Sequence, residues 1–184
     1  AEGIRQVMGE AGRFIRKPGV RRAATIAHGA GIGGIEPVTS GQAVAEGTLL
    51  GLYTFRRYKS RQEDDPQHEV EELQIVERDS AKAALIQQGV DRGKMLAEAT
   101  IIARDMGNEP ANVMNPTEMA ERARQVAKEV GLEFEVLDKP QMAELGMGAL
   151  LAVAAGSDQP PKLIVLRYNG DPDNEENNIA LCGK

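Results

Sequence analysis

No tryptophan occurs in the 184 residues, and aromatic side chains make up only 3% of them. Any interior must therefore be assembled from Ala, Val, Ile, Leu and Met. One cysteine, Cys182, excludes an internal disulfide and fits a reducing, cytoplasmic setting. There are only two histidines, His28 and His68, and no His/Cys/Asp/Glu spacing of a metal site surrounds either. Basic residues are in deficit: 22 Lys and Arg face 28 Asp and Glu, for a net charge of -6. That balance argues against nucleic acid as the main partner, since phosphate binding wants a cationic surplus. No apolar run is long enough to cross a bilayer and the first residues lack a signal-peptide pattern, so no membrane partner is expected. What is present is ordinary for a globular chain, with a hydrophobic fraction of 41%. Length alone leaves one domain or two small ones open.

Periodicity divides the chain. Ile4, Met8, Ala11 and Ile15 share one helical face, and "KPG" closes that helix. "AATIAHGAGIGG" reads as a strand entering a glycine-rich loop. A second helix is expected from about Ser40, with Ala45, Leu49, Leu52 and Phe55 on its apolar stripe. "SRQEDDPQHEVEE" is a charged, solvated loop and "LQIVE" a short strand. From Asp79 to Met106 the pattern is helical, and Met95, Ala99, Ile102 and Met106 repeat at i, i+4, i+7, i+11. Unbroken, that helix is about 40 Å long; Gly89 and Gly93 either break it or mark close packing. "NEPANVMNPTE" halts it and starts the next, with Asn115 as N-cap, Pro116 at the first helical position and Glu118 completing a capping box. Met119, Ala123, Val126 and Val130 form that helix's expected buried stripe, and Gly131 its end. "LEFEVLD" alternates like a strand, "KLIVLRY" reads as a strand covered on both faces, and "NGDPDNEENN" as an acidic connection to a last strand in "NNIALCGK". The expected fold is α/β, with two incomplete α/β units joined by a long linker helix. The first unit spans 1–88, the linker helix and junction 89–112, and the second unit 113–184, where the chain stops while strands are still being added.

Taken residue by residue, the chemistry is sparse. "GAGIGG", Gly29 to Gly34, follows a strand and formally matches a dinucleotide-binding pattern. A phosphate cradle needs a helix to open at once, whereas Ile35, Glu36 and Pro37 intervene, so a structural turn is the better reading. A non-catalytic nucleotide- or phosphate-binding module built on this loop stays as the alternative function. Glu69, Glu71 and Glu72 read as a solvated edge. Cys182, inside a predicted strand, reads as a buried, inert thiol. Lys184, from its residues alone, is a solvent-exposed lysine. No catalytic residue and no cofactor-binding residue is assigned.

Three stretches taken together resemble the leucyl aminopeptidase (cytosol aminopeptidase) family of two-metal exopeptidases. They are "EGTLLGLYTFRRYKS" (46–60), "ARDMGNEPANVMNPTEMA" (103–120), and "LGMGALLAVAAGSDQPPKLIVLRYNG" (145–170) leading to "IALCGK". They occur in the family's order over about residues 40 to 184. The resemblance implies part of the N-terminal domain in 1–88, the linker helix in 89–112 and the start of the catalytic domain in 113–184. It implies that Lys184 matches the first metal-binding residue, and that the remaining ligands, an aspartate and glutamate set, follow it. The intact enzyme would remove N-terminal residues from peptide substrates with two divalent metal ions, zinc or manganese, as a cytoplasmic hexamer. The 184 residues alone are expected to bind no metal and to be inactive, because one lysine cannot hold two ions.

Overall fold

Scarce large side chains leave helix packing to glycine and alanine, and the computed structural model of residues 1–60, 68–174 and 176–183 follows that rule. The expectation of a charged loop after Ser60 falls largely on 61–67, outside the described residues. The chain divides into two compact units, 1–108 and 109–184.

The first unit contains α1 (Glu2–Arg16), β1 (Arg22–Ile26), α2 (Pro37–Leu52), β2 (Glu72–Val76) and α3 (Ser80–Asn108). β1 and β2 pair in parallel from Arg22↔Glu72 to Ile26↔Val76. Helix α2 starts three residues earlier than the pattern suggested, because Pro37 is preorganised for the first helical position and Glu36 sits extended before it. It lies against both α1 and α3, and Ser40, Gly41 and every residue from Ala43 to Thr48 are buried. The expected one-sided stripe through Leu49, Leu52 and Phe55 is therefore corrected: α2 is covered on two sides and ends at Leu52.

Both helix contacts depend on missing side chains. A Cβ at Gly51 would stand 2.4 Å from Gly9 Cα, and one at Gly47 would stand 2.4 Å from Arg5 O. On the other side, a Cβ at Gly41 would lie 2.3 Å from Ile86 O, and one at Gly89 2.0 Å from Val38 O. α3 is unbroken, so Gly89 and Gly93 mark close approach rather than a kink. Its buried line is Ile86, Gly89, Gly93 and Ala97. The predicted stripe is corrected: Met95 is 68% and Ile102 44% exposed.

Several polar groups inside this unit find partners across its helices. The Glu46 carboxylate pairs with Arg5 across α1 and α2 and accepts from Gln42 Nε2 at 2.6 Å. Ser40 Oγ donates to His28 O at 2.8 Å. At the far end of α3, Tyr53 Oη donates to Asp105 at 2.6 Å and accepts from Asn108 at 3.0 Å, while Arg104 lies over the Tyr53 ring.

A substitution pair tests the glycine contacts. Gly89→Ala should destabilise the chain by about 1–3 kcal/mol, since the methyl must push α2 backbone away. Gly107→Ala, with nothing within 4 Å of its added Cβ, should instead stabilise by about 0.5 kcal/mol through helix propensity. Urea midpoints of both variants measure this; equal effects of one sign would refute the packing role.

The second unit contains α4 (Pro116–Val130), β3 (Glu133–Asp138), α5 (Lys139–Glu144), α6 (Gly148–Ala154) and β4 (Lys162–Arg167). β3 and β4 are antiparallel, from Glu133↔Arg167 to Asp138↔Lys162, and α4 packs on both. Gly131 ends α4 in the left-handed conformation, as the sequence predicts. The buried residues of α4 are Ala120 and Ala127; Met119 and Val130, expected inside, are 43% and 62% exposed. Both units are thus α/β.

Candidate functional site

Lys184, the one residue assigned to a metal, lies outside the described residues. The segment leading to it is described. Asn178 to Gly183 form no strand, and Ile179 and Leu181 are 88% and 94% exposed. The expected terminal strand is thus corrected for these residues. An apolar strand is stable only when its amides and carbonyls have a ladder partner, and among the described residues no strand pairs with 178–183. Cys182 is exposed, which overturns its reading as a buried thiol.

Among the described residues, no group of three or more His, Cys, Asp or Glu is placed to hold a metal ion. His28 Nε2 lies 3.0 Å from Thr25 Oγ1, and the His68 ring covers Gly19, where a Cβ would meet its Nδ1 at 2.9 Å. Glu71 pairs with Arg21, and Glu72 with Arg22 at 3.3 Å, as expected of a solvated charged edge.

The glycine loop lacks the features of a phosphate cradle. Gly29, Gly31, Gly33 and Gly34 all have positive φ. Its amides are used internally: Gly31 N donates to Ile35 O at 2.8 Å and Ile32 N to Gly29 O at 2.9 Å. The following helix begins with Glu36 and Pro37, a carboxylate and a residue without an N–H, where an anion needs free amides. The nucleotide-binding alternative has no support.

The junction 109–118 joins several polar groups of the second unit. Asn115 caps α4, its Oδ1 accepting from Glu118 N at 3.0 Å. The reciprocal half of the expected capping box is replaced: Glu118 Oε1 accepts from Arg122 Nε at 2.8 Å. Arg122 also donates to Glu109 at 2.8 Å, and the Glu109 side chain is fully buried. The Glu109 hydrogen bond, then that of Glu118, raises the Arg122 guanidinium above its usual range, so it stays charged. Sequence reading missed this clamp; its only signal was a glutamate placed before Pro110.

With this geometry in hand, comparison with known proteins is specific. Residues 101–184 match the family model described as the cytosol aminopeptidase family, catalytic domain. A probable cytosol aminopeptidase of Alkaliphilus metalliredigens is 49% identical over 144 residues, which cover 78% of this chain and 29% of that one. The counterpart from Solibacter usitatus is 40% identical over 188 residues, covering 100% of this chain and 36% of the relative. Among solved structures, a tomato leucine aminopeptidase mutant superposes with a TM-score of 0.76 at 27% identity, over 88% of this chain and 32% of that one. The bottromycin maturation enzyme BotP in complex with Mn gives 0.75 at 30% identity, over 90% and 33%. The chain spans about a third of the length of these curated relatives.

Proposed function

We propose, from a chain that belongs through residues 101–184 to the cytosol aminopeptidase family, that the full-length protein is a metal-dependent aminopeptidase removing N-terminal residues from peptides. The observation that carries this reading is the extent of the likeness: 40% identity runs through the whole chain, not through one motif. It covers both units and the helix-to-junction passage between them.

In this reading Lys184 is a ligand of one of two divalent ions, zinc or manganese. A manganese complex of a structurally similar enzyme supports a metal-dependent site. The described residues contain no cluster of donors for such ions, so the other ligands are assigned to chain that the longer relatives carry. When bound, the ions would polarise the scissile carbonyl and activate the attacking water. The part given to this chain's own residue is narrow: Lys184 offers the lone pair of a neutral amine. The same reading includes a hexamer and a cytoplasmic location. The relatives' name of cytosol aminopeptidase supports the latter, and no helix among the described residues is long and apolar enough to cross a membrane.

Hydrolysis of an aminoacyl anilide tests the reading. The full-length protein should turn it over with added zinc or manganese and lose that activity to a chelator. The 184 residues alone should show no turnover with either ion in excess. An inert full-length protein would refute the function, and turnover by the shorter chain would refute the assignment of missing ligands.

A further inference from the structure

α3 carries two apolar lines, and the first unit uses only one. Ile86, Gly89, Gly93 and Ala97 face α2. Met95, Ala99, Ile102 and Met106 lie about 180° around the helix from that line, by its 3.6-residue turn. Met95 is 68% exposed, Ile102 44%, Ala99 is exposed and Met106 half-buried. The outer line is apolar only in the second half of the helix. Earlier on the same side stand Gln88 and Asp91, the latter accepting from Gln87 Nε2 at 2.8 Å. Along the apolar half runs a charged rim, Lys94 and Glu98, paired at 3.8 Å. A contiguous apolar strip with a charged rim is the form of an interaction surface.

Two observations identify what covers it. The catalytic-domain family model begins at residue 101, inside α3, so Ile102 and Met106 belong in sequence to that domain although they fall within the first unit. The match to the catalytic-domain model runs to residue 184, and the curated relatives are about three times as long as the stretch matched here, so most of their chain lies outside it. We propose that the outer line of α3, Met95, Ala99, Ile102 and Met106, is the docking face for catalytic-domain chain of the same polypeptide beyond residue 184. The inference rests on the reading of the full-length protein as a cytosol aminopeptidase. α3 then has two working faces: glycine and alanine toward α2, methionine and isoleucine toward the chain beyond residue 184. Flexible methionines suit a surface that closes on a separately folded partner.

The test uses the full-length protein, unmutated and as Ile102→Glu, with a photoactivatable diazirine analogue in place of methionine. Light should link position 95 mainly to peptides of the same polypeptide beyond residue 184, and Ile102→Glu should remove most of those links. Links between two polypeptides would assign the face to a second copy and overturn the proposal. So would links confined to residues 1–184, or quenching by water alone. Aminoacyl-anilide turnover on the same sample separates the two claims. Turnover without the intramolecular link sinks the docking face and leaves the function; the link without turnover sinks the function and leaves the face.

Discussion

Lys184→Met in the full-length protein should leave the fold intact and abolish peptide hydrolysis. Methionine keeps most of the stem, so packing around the position changes little. On the proposed assignment, one donor nitrogen is lost, and one of the two ions should bind more weakly while its carboxylate ligands remain. Polarising the carbonyl and activating the water need both ions, so turnover should collapse rather than decline. Lys184→Arg should do no better, because a guanidinium stays protonated at any working pH and has no lone pair to give. Metal content per subunit and turnover, measured on both variants, decide the matter. Two ions per subunit with a near-normal rate in either variant would return Lys184 to an ordinary surface lysine.

The Lys184 proposal rests only on resemblance. Nothing in the spacing around Lys184 predicts a ligand, and the described residues supply no donor cluster to find. Element types, by contrast, could be read from periodicity and turn chemistry: Asn115 and Pro116 placed the start of α4, and Gly131 its end. The faces were misread, and always in the same way. In α3 the pattern of large apolar residues pointed to Met95 and Ile102, while the buried line holds Gly89, Gly93 and Ala97. In α4 it pointed to Met119 and Val130, while Ala120 and Ala127 are buried. A period search weights side-chain size, whereas α3 approaches α2 so closely that even a Cβ at Gly89 or Gly93 would run into α2 backbone. Scarcity of aromatics was itself the hint, since without bulky fillers a core closes by bringing backbones together. The terminal strand failed for another reason: "IALC" has strand composition, but pairing is a property of neighbours, and among the described residues no strand runs alongside 178–183.

Arg122→Met should be among the most destabilising single changes in the second unit, and the cause is Glu109. That carboxylate is fully buried, and Arg122 holds it while keeping 18% of its own side chain exposed. Removing the cation leaves the Glu109 charge inside with its strongest partner gone. Loss of one member of a fully buried pair costs about 3–5 kcal/mol, and the exposed edge of Arg122 brings the expected cost down to about 2–3 kcal/mol. Glu118, which also accepts from Arg122, adds little to that sum because it is partly solvated. Glu109→Gln in the Arg122→Met background should recover much of the loss, since an amide has no charge to bury. Denaturant unfolding of the two single variants and the double variant completes the cycle. If the double variant is no more stable than Arg122→Met, the clamp is a surface contact in effect and the start of α4 is held by Asn115 and the packing of Ala120 instead.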